Sequence, residues 1–107
     1  MNIVVEKELK QKSIDLIKTQ IDYYSNQQMD LKSKIESLER DLKIERGIAE
    51  SIKNNGGNQQ RFEASFKKSL VLFIAFKEAH IELDCVSLCI DRLKGLLNEV
   101  NISEKTE

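Results

Sequence analysis

Few residues in this 107-residue chain have both the type and the spacing to do chemistry. His80 and Asp84 stand four apart, which on a helix puts an imidazole and a carboxylate on one face, as an acid–base pair or as two metal ligands. Two ligands fall short of the three or four that a zinc site needs, and Cys85 and Cys89 point elsewhere around the same helix. His80 therefore reads as a surface or edge histidine. The cysteines are a candidate redox pair, but no cluster of cations stands beside them to hold a thiolate. Their spacing along one helix is also poorly oriented for an unstrained disulfide. They read as free thiols in a reducing compartment, behaving as small apolar side chains that flank a helix seam. The glycines of Asn55-Gly56-Gly57-Asn58 lack the preceding strand and the Gly-Lys-Ser/Thr ending of a phosphate-binding loop. Carboxylates are scattered along solvated faces with no pocket converging on one of them. No catalytic residue, cofactor or metal is expected, and an enzyme is excluded on that ground.

What the residues do specify is a pair of helices. Ile14, Ile17, Ile21, Tyr24, Gln28, Leu31, Ile35, Leu38, Leu42, Glu45, Ala49 and Ile52 follow alternating steps of three and four. Phe62, Ser65, Ser69, Leu72, Phe76, Ala79, Leu83, Val86, Ile90, Leu93, Leu97 and Val100 repeat the same steps. Both are the a/d signature of helices packed along a narrow seam. Folded between the ladders, the chain pairs Ile52 with Phe62 and Ile14 with Val100, and the polar or small rungs meet as well: Glu45 with Ser69, Ala49 with Ser65. The expected fold is all-α, an antiparallel, coiled-coil-like two-helix hairpin, with Ile35, Leu38, Leu42, Leu72, Phe76, Leu83 and Ile90 at its seam. Gln28, facing Val86, is a seam amide that either finds a partner or sits wet at the edge.

The boundaries follow from capping chemistry. One domain over residues 1–107 is expected, with helix 1 over about 6–53, a turn over 54–60, helix 2 over about 59–100 and a polar tail over 101–107. Lys53 suits the negative end of the first helix, and Gly56 and Gly57 stop it, glycine taking a left-handed cap without steric cost. Asn58 is the candidate N-cap of the second helix, with Glu63 in its first turn. Residues 1–9 lie beyond the matched rungs and are expected to be frayed unless a partner covers Ile3, Val4, Val5 and Leu9. Gly47 and Gly95 fall inside the helices, marking either a close approach or a tolerated surface position.

Composition narrows the function classes. Seventeen basic residues against eighteen acidic give a net charge of −1, with the two halves similarly balanced and no basic run. Capture of nucleic acid or of an anionic membrane is not encoded in that bulk charge. The longest apolar stretch, Leu70 to Phe76, is far short of the roughly 20 residues of a membrane span. Met1-Asn2-Ile3-Val4-Val5 turns to charge at Glu6, which does not read as a secretory leader. A cytoplasmic protein is expected, with co-export lacking a signal peptide as the alternative.

The hairpin cannot bury all of its apolar surface. Phe66, Leu70, Phe73, Ile74, Ile81 and Leu88 form a second stripe on helix 2, roughly 130° around from the seam. Helix 1 offers only Leu16, Tyr23 and Ile44. A contiguous apolar face of that kind marks an interaction site, so partner helices are expected to complete a bundle. The partner is a helical client protein, or a second copy when the chain is free.

A leaderless helical hairpin of about 100 residues with a glycine turn resembles the ESX-like, WXG-type proteins of type VII secretion. The stretch carrying the resemblance is Asn55-Gly56-Gly57, then Phe62, Phe66 and the amphipathic run Lys67 to Glu78. Gly57 stands where the Trp-X-Gly motif has its glycine, but the chain has no Trp. It also lacks the Tyr-X-X-X-Asp/Glu or Phe-X-X-X-Asp export signal. Those departures make it similar to the small accessory hairpins that accompany LXG toxins. The resemblance implies a chaperone or targeting factor bound to an LXG toxin domain, together with a second small helical protein, as a hetero-oligomer. A structural homo-oligomeric assembly protein is the alternative.

Overall fold

The computed structural model describes residues 3–105, with side chains from 4 to 101. Two helices fill that span, α1 (Ile3–Asn54) and α2 (Gln59–Lys105), making the chain an all-α helical hairpin. Both helices exceed the boundaries expected from the ladders. α1 begins at Ile3, and α2 runs through most of the segment expected to be a polar tail. No Pro or Gly interrupts either end, so the backbone hydrogen-bond ladder continues past the last seam residue. Val4, Val5 and Leu9 are helical, and all three side chains are exposed. Of the segments expected to fray or to form a tail, residues 1–2 and 106–107 and the side chain of Ile3 lie outside the described residues.

The turn is built as its residues require. Gly56 takes a φ of +66°, the left-handed conformation that ends α1. The Gly57 N–H then reaches back to the Ile52 carbonyl at 2.8 Å, and the Asn55 N–H to Ser51 at 3.1 Å. A Cβ at Gly57 would stand 2.6 Å from the Ile52 methyl and 2.9 Å from its carbonyl oxygen, so a side chain there has no room. Asn58 caps α2: its side-chain oxygen accepts the Gln60 N–H at 2.7 Å, and its carbonyl accepts from Phe62 at 3.0 Å. Glu63 misses the first turn of α2, which holds no acidic residue. Lys53 lies in the last turn of α1, as its charge favours.

The hairpin's packing gathers into two compact units, one from Asp30 to Leu83, the other from residues up to Met29 together with those from Asp84 onward. In the turn-side unit, Leu31, Ile35, Leu38, Leu42, Glu45, Ala49 and Ile52 are all buried or half-buried. So are Phe62, Ser65, Ser69, Leu72, Phe76, Ala79 and Leu83 across from them. In the other unit the same holds for Ile14, Ile17, Ile21, Tyr24 and Gln28 against Val86, Ile90, Leu93, Leu97 and Val100. The heptad spacing thus selects the inward-facing residues of each unit. Gly47 and Gly95 have open space where a Cβ would be, so neither marks a close approach of the helices.

Candidate functional site

Seam chemistry comes first, because it decides which polar groups are already engaged. In the turn-side unit the Ser65 hydroxyl lies 3.3 Å from the Glu45 carbonyl oxygen and 3.2 Å from its Oε1, one proton facing two acceptors. Lys68 completes the cluster, its Nζ 3.8 Å from Glu45 Oε2. Glu45 was expected opposite Ser69. The Ser69 hydroxyl instead donates to the Ser65 carbonyl of its own helix at 3.0 Å, so Ser65 is the hydroxyl left for the carboxylate. In the other unit Gln28 is half-buried and its amide donates to the Ser87 hydroxyl at 3.0 Å. The partner is the neighbour of Val86, since valine has nothing to accept a hydrogen bond. Among the described residues no buried side-chain polar atom lacks a partner.

The residues with chemical potential stay apart. His80 is half-buried, its ring edge-on to Phe76 at 4.6 Å. Cys85 and Cys89 are both exposed free thiols, where the sequence suggested small apolar residues flanking the seam. Among the described residues no three His, Cys, Asp or Glu side chains come together as a metal site. Among the described residues no helix is long and apolar enough to cross a membrane.

The apolar surface is the prominent feature. Among the described residues no large side chain is fully buried, and fifteen large hydrophobic residues are exposed, against the buried Ile14, Ile35, Leu42 and Ile90. In the turn-side unit Phe66, Leu70, Ile74 and Ile81 are each about half exposed or more, and Val71 joins them. Leu88 is exposed on α2 in the other unit. On α1, Leu16, Tyr23 and Ile44 are exposed too.

Phe73 departs from its stripe. Its ring is half-buried, with the Arg46 guanidinium 5.6 Å and the Lys77 ammonium 5.5 Å from its centroid. It forms one wall of a groove of about 430 Å³ beside the turn. Phe62, Phe66 and Leu70 continue that wall along α2, with the Ser69 side chain behind them. Arg46, Ala49, Glu50 and Lys53 supply the opposite wall from one face of α1. Phe62 and Phe66 stack with ring centroids 6.2 Å apart. The α1 wall was invisible to a search for apolar stripes, because three of its four residues are charged. Its only sequence signal is the three-, four- and seven-residue spacing from Arg46 to Lys53.

Comparison with protein-family profiles, with curated proteins and with solved structures finds no match for this chain.

Proposed function

We propose that the chain is a non-enzymatic adaptor or chaperone that holds a helical client against α2. The carrying observation is the row of large side chains, Phe66, Leu70, Ile74 and Ile81, left in solvent beside a seam that fully buries none of its own. Each gains on the order of 1 kcal/mol when its remaining exposed half is covered, so the set drives association. Leu88 extends the same helix's apolar residues, and Phe73 contributes a half-buried ring. A client that lays an amphipathic helix along α2 would complete a bundle with the hairpin.

The hairpin layout and glycine turn support a narrower version of this reading. The chain then serves as a targeting factor for an LXG-type toxin of a type VII secretion system, in a complex with the toxin's helical domain and a second small helical protein. It would load its client in the cytoplasm and be either left behind or exported with it.

Co-purification of tagged protein from its host tests the reading. Wild type should retain a helical client that Ile74→Asp with Ile81→Asp loses by at least about tenfold, while circular dichroism stays helical. Equal recovery by the double variant overturns the proposal. A stable, monodisperse homo-oligomer that hides these residues with no client bound would replace it with a structural homo-oligomeric assembly protein.

A further inference from the structure

We infer that the groove beside the turn seats one kind of occupant: an amphipathic helix of another protein whose apolar edge is bordered by carboxylates. This rests on the client-binding reading and specifies where the client docks and what it carries. The groove's two walls run along α1 and α2, so it is elongated, and about 430 Å³ of largely apolar space is enough for several large side chains. Rows at three-, four- and seven-residue spacing on both walls match the repeat of a helix laid between them.

The charges at the groove choose the occupant. Arg46 and Lys77 flank the Phe73 ring, and Lys53 stands on the α1 wall nearer the turn. Glu50 is the one carboxylate among the groove's walls. From Arg46 to Lys77 the chain carries six basic residues and two acidic, a local net charge of +4 in a molecule whose total is −1. Folding at Gly56 brings Arg46 and Lys77, 31 positions apart, to one ring, with Lys53 on the same groove's α1 wall. A basic client would meet repulsion there, and an acidic one is both steered and held. A second copy docked groove to groove would bring this basic group against itself, with Glu50 as the one lining carboxylate on each side. A flat anionic membrane would satisfy the charges but not the recessed rings of Phe62 and Phe73, both half-buried.

The test uses the full chain and two labelled helical peptides of about 20 residues, long enough to hold a helix. Both carry Leu at helical spacing; one has Glu flanking that face and the other Lys. Fluorescence anisotropy should show the Glu peptide binding at least about tenfold tighter, with the difference shrinking as salt rises. Arg46→Glu with Lys53→Glu should erase or invert the preference. Phe66→Asp should remove binding while the helices persist by circular dichroism. Leu16→Asp, an exposed position in the other unit, should leave peptide binding unchanged. Equal affinity for the two peptides, or no binding of either, overturns the inference. So does binding that survives Phe66→Asp, or recruitment by phosphatidylglycerol vesicles in place of the peptide. A wild-type dimer that Phe66→Asp dissociates would assign the groove to a second copy instead. Client loss on Ile74→Asp with Ile81→Asp would still uphold the adaptor reading in each of these cases, so the two can fail separately.

Discussion

The turn-side unit and the unit built from the two chain ends share one heptad pattern and yet present different surfaces. On the turn side, four of the six buried residues are small, Ala49, Ser65, Ser69 and Ala79, with only Ile35 and Leu42 larger. All four phenylalanines belong to this unit, and none is buried. Its bulk therefore sits at the margin of the seam, where Phe62, Phe66 and Phe73 wall a groove. The other unit buries Ile14 and Ile90, holds its amide through Ser87, and has tyrosines in place of phenylalanines. Hydrophobicity and burial are thus separate quantities in this fold. Small seam residues leave large neighbours outside, and that is how a paired helix retains an exposed apolar face.

Truncating the seam gives the largest expected effect and the sharpest test of that difference. Leu42→Ala on the turn side and Ile90→Ala on the other should each cost about 2–3 kcal/mol, the low end for buried aliphatics because neither core is deep. Hydrogen exchange should show protection falling first in the variant's own unit. A uniform loss along both helices would erase the energetic distinction between the units and leave only the surface one. Gly57→Ala should cost about 1–2 kcal/mol in thermal unfolding, because a Cβ there meets the Ile52 carbonyl oxygen, which cannot move without opening the turn. An unchanged melting temperature would show that the turn does not constrain the groove. The smallest effects run the other way. Gly47→Ala and Gly95→Ala, one in each unit, should stabilise by about 0.5–1 kcal/mol apiece, since a methyl meets open space and helix propensity improves. A loss at either site would reveal a partner that needs the bare backbone.

Much of the hairpin was legible because its rules are local or periodic. The ladder steps picked the inward-facing residues, and Gly56, Gly57 and Asn58 placed the turn. Helix ends were less legible. With no breaker at either terminus, seam matching sets where contact stops but not where the helix does, which is why α1 reaches back to Ile3 and α2 on to Lys105. Polar pairing was legible to within one helical turn: Glu45 took Ser65 rather than Ser69, and Gln28 took Ser87 rather than Val86. Rung matching aligns Cβ positions, whereas a hydrogen bond follows whichever hydroxyl is within reach to give or accept a proton. The stripe was visible on the helical wheel; that Phe73 would lie half-buried with the Arg46 guanidinium of α1 over its ring was not, because a wheel carries no information about the other helix.

By itself the sequence determined that there would be two helices, where they would reverse, and which edge of each would face inward. Those outcomes follow from backbone sterics and a repeating pattern of apolar side chains, and both are properties of a single stretch of chain. Only the tertiary structure decided that Arg46 and Lys77 would flank one ring and that a charged face of α1 would wall an apolar groove. Such arrangements depend on the relative rotation of two helices about their axes, and no residue in either helix specifies that angle alone.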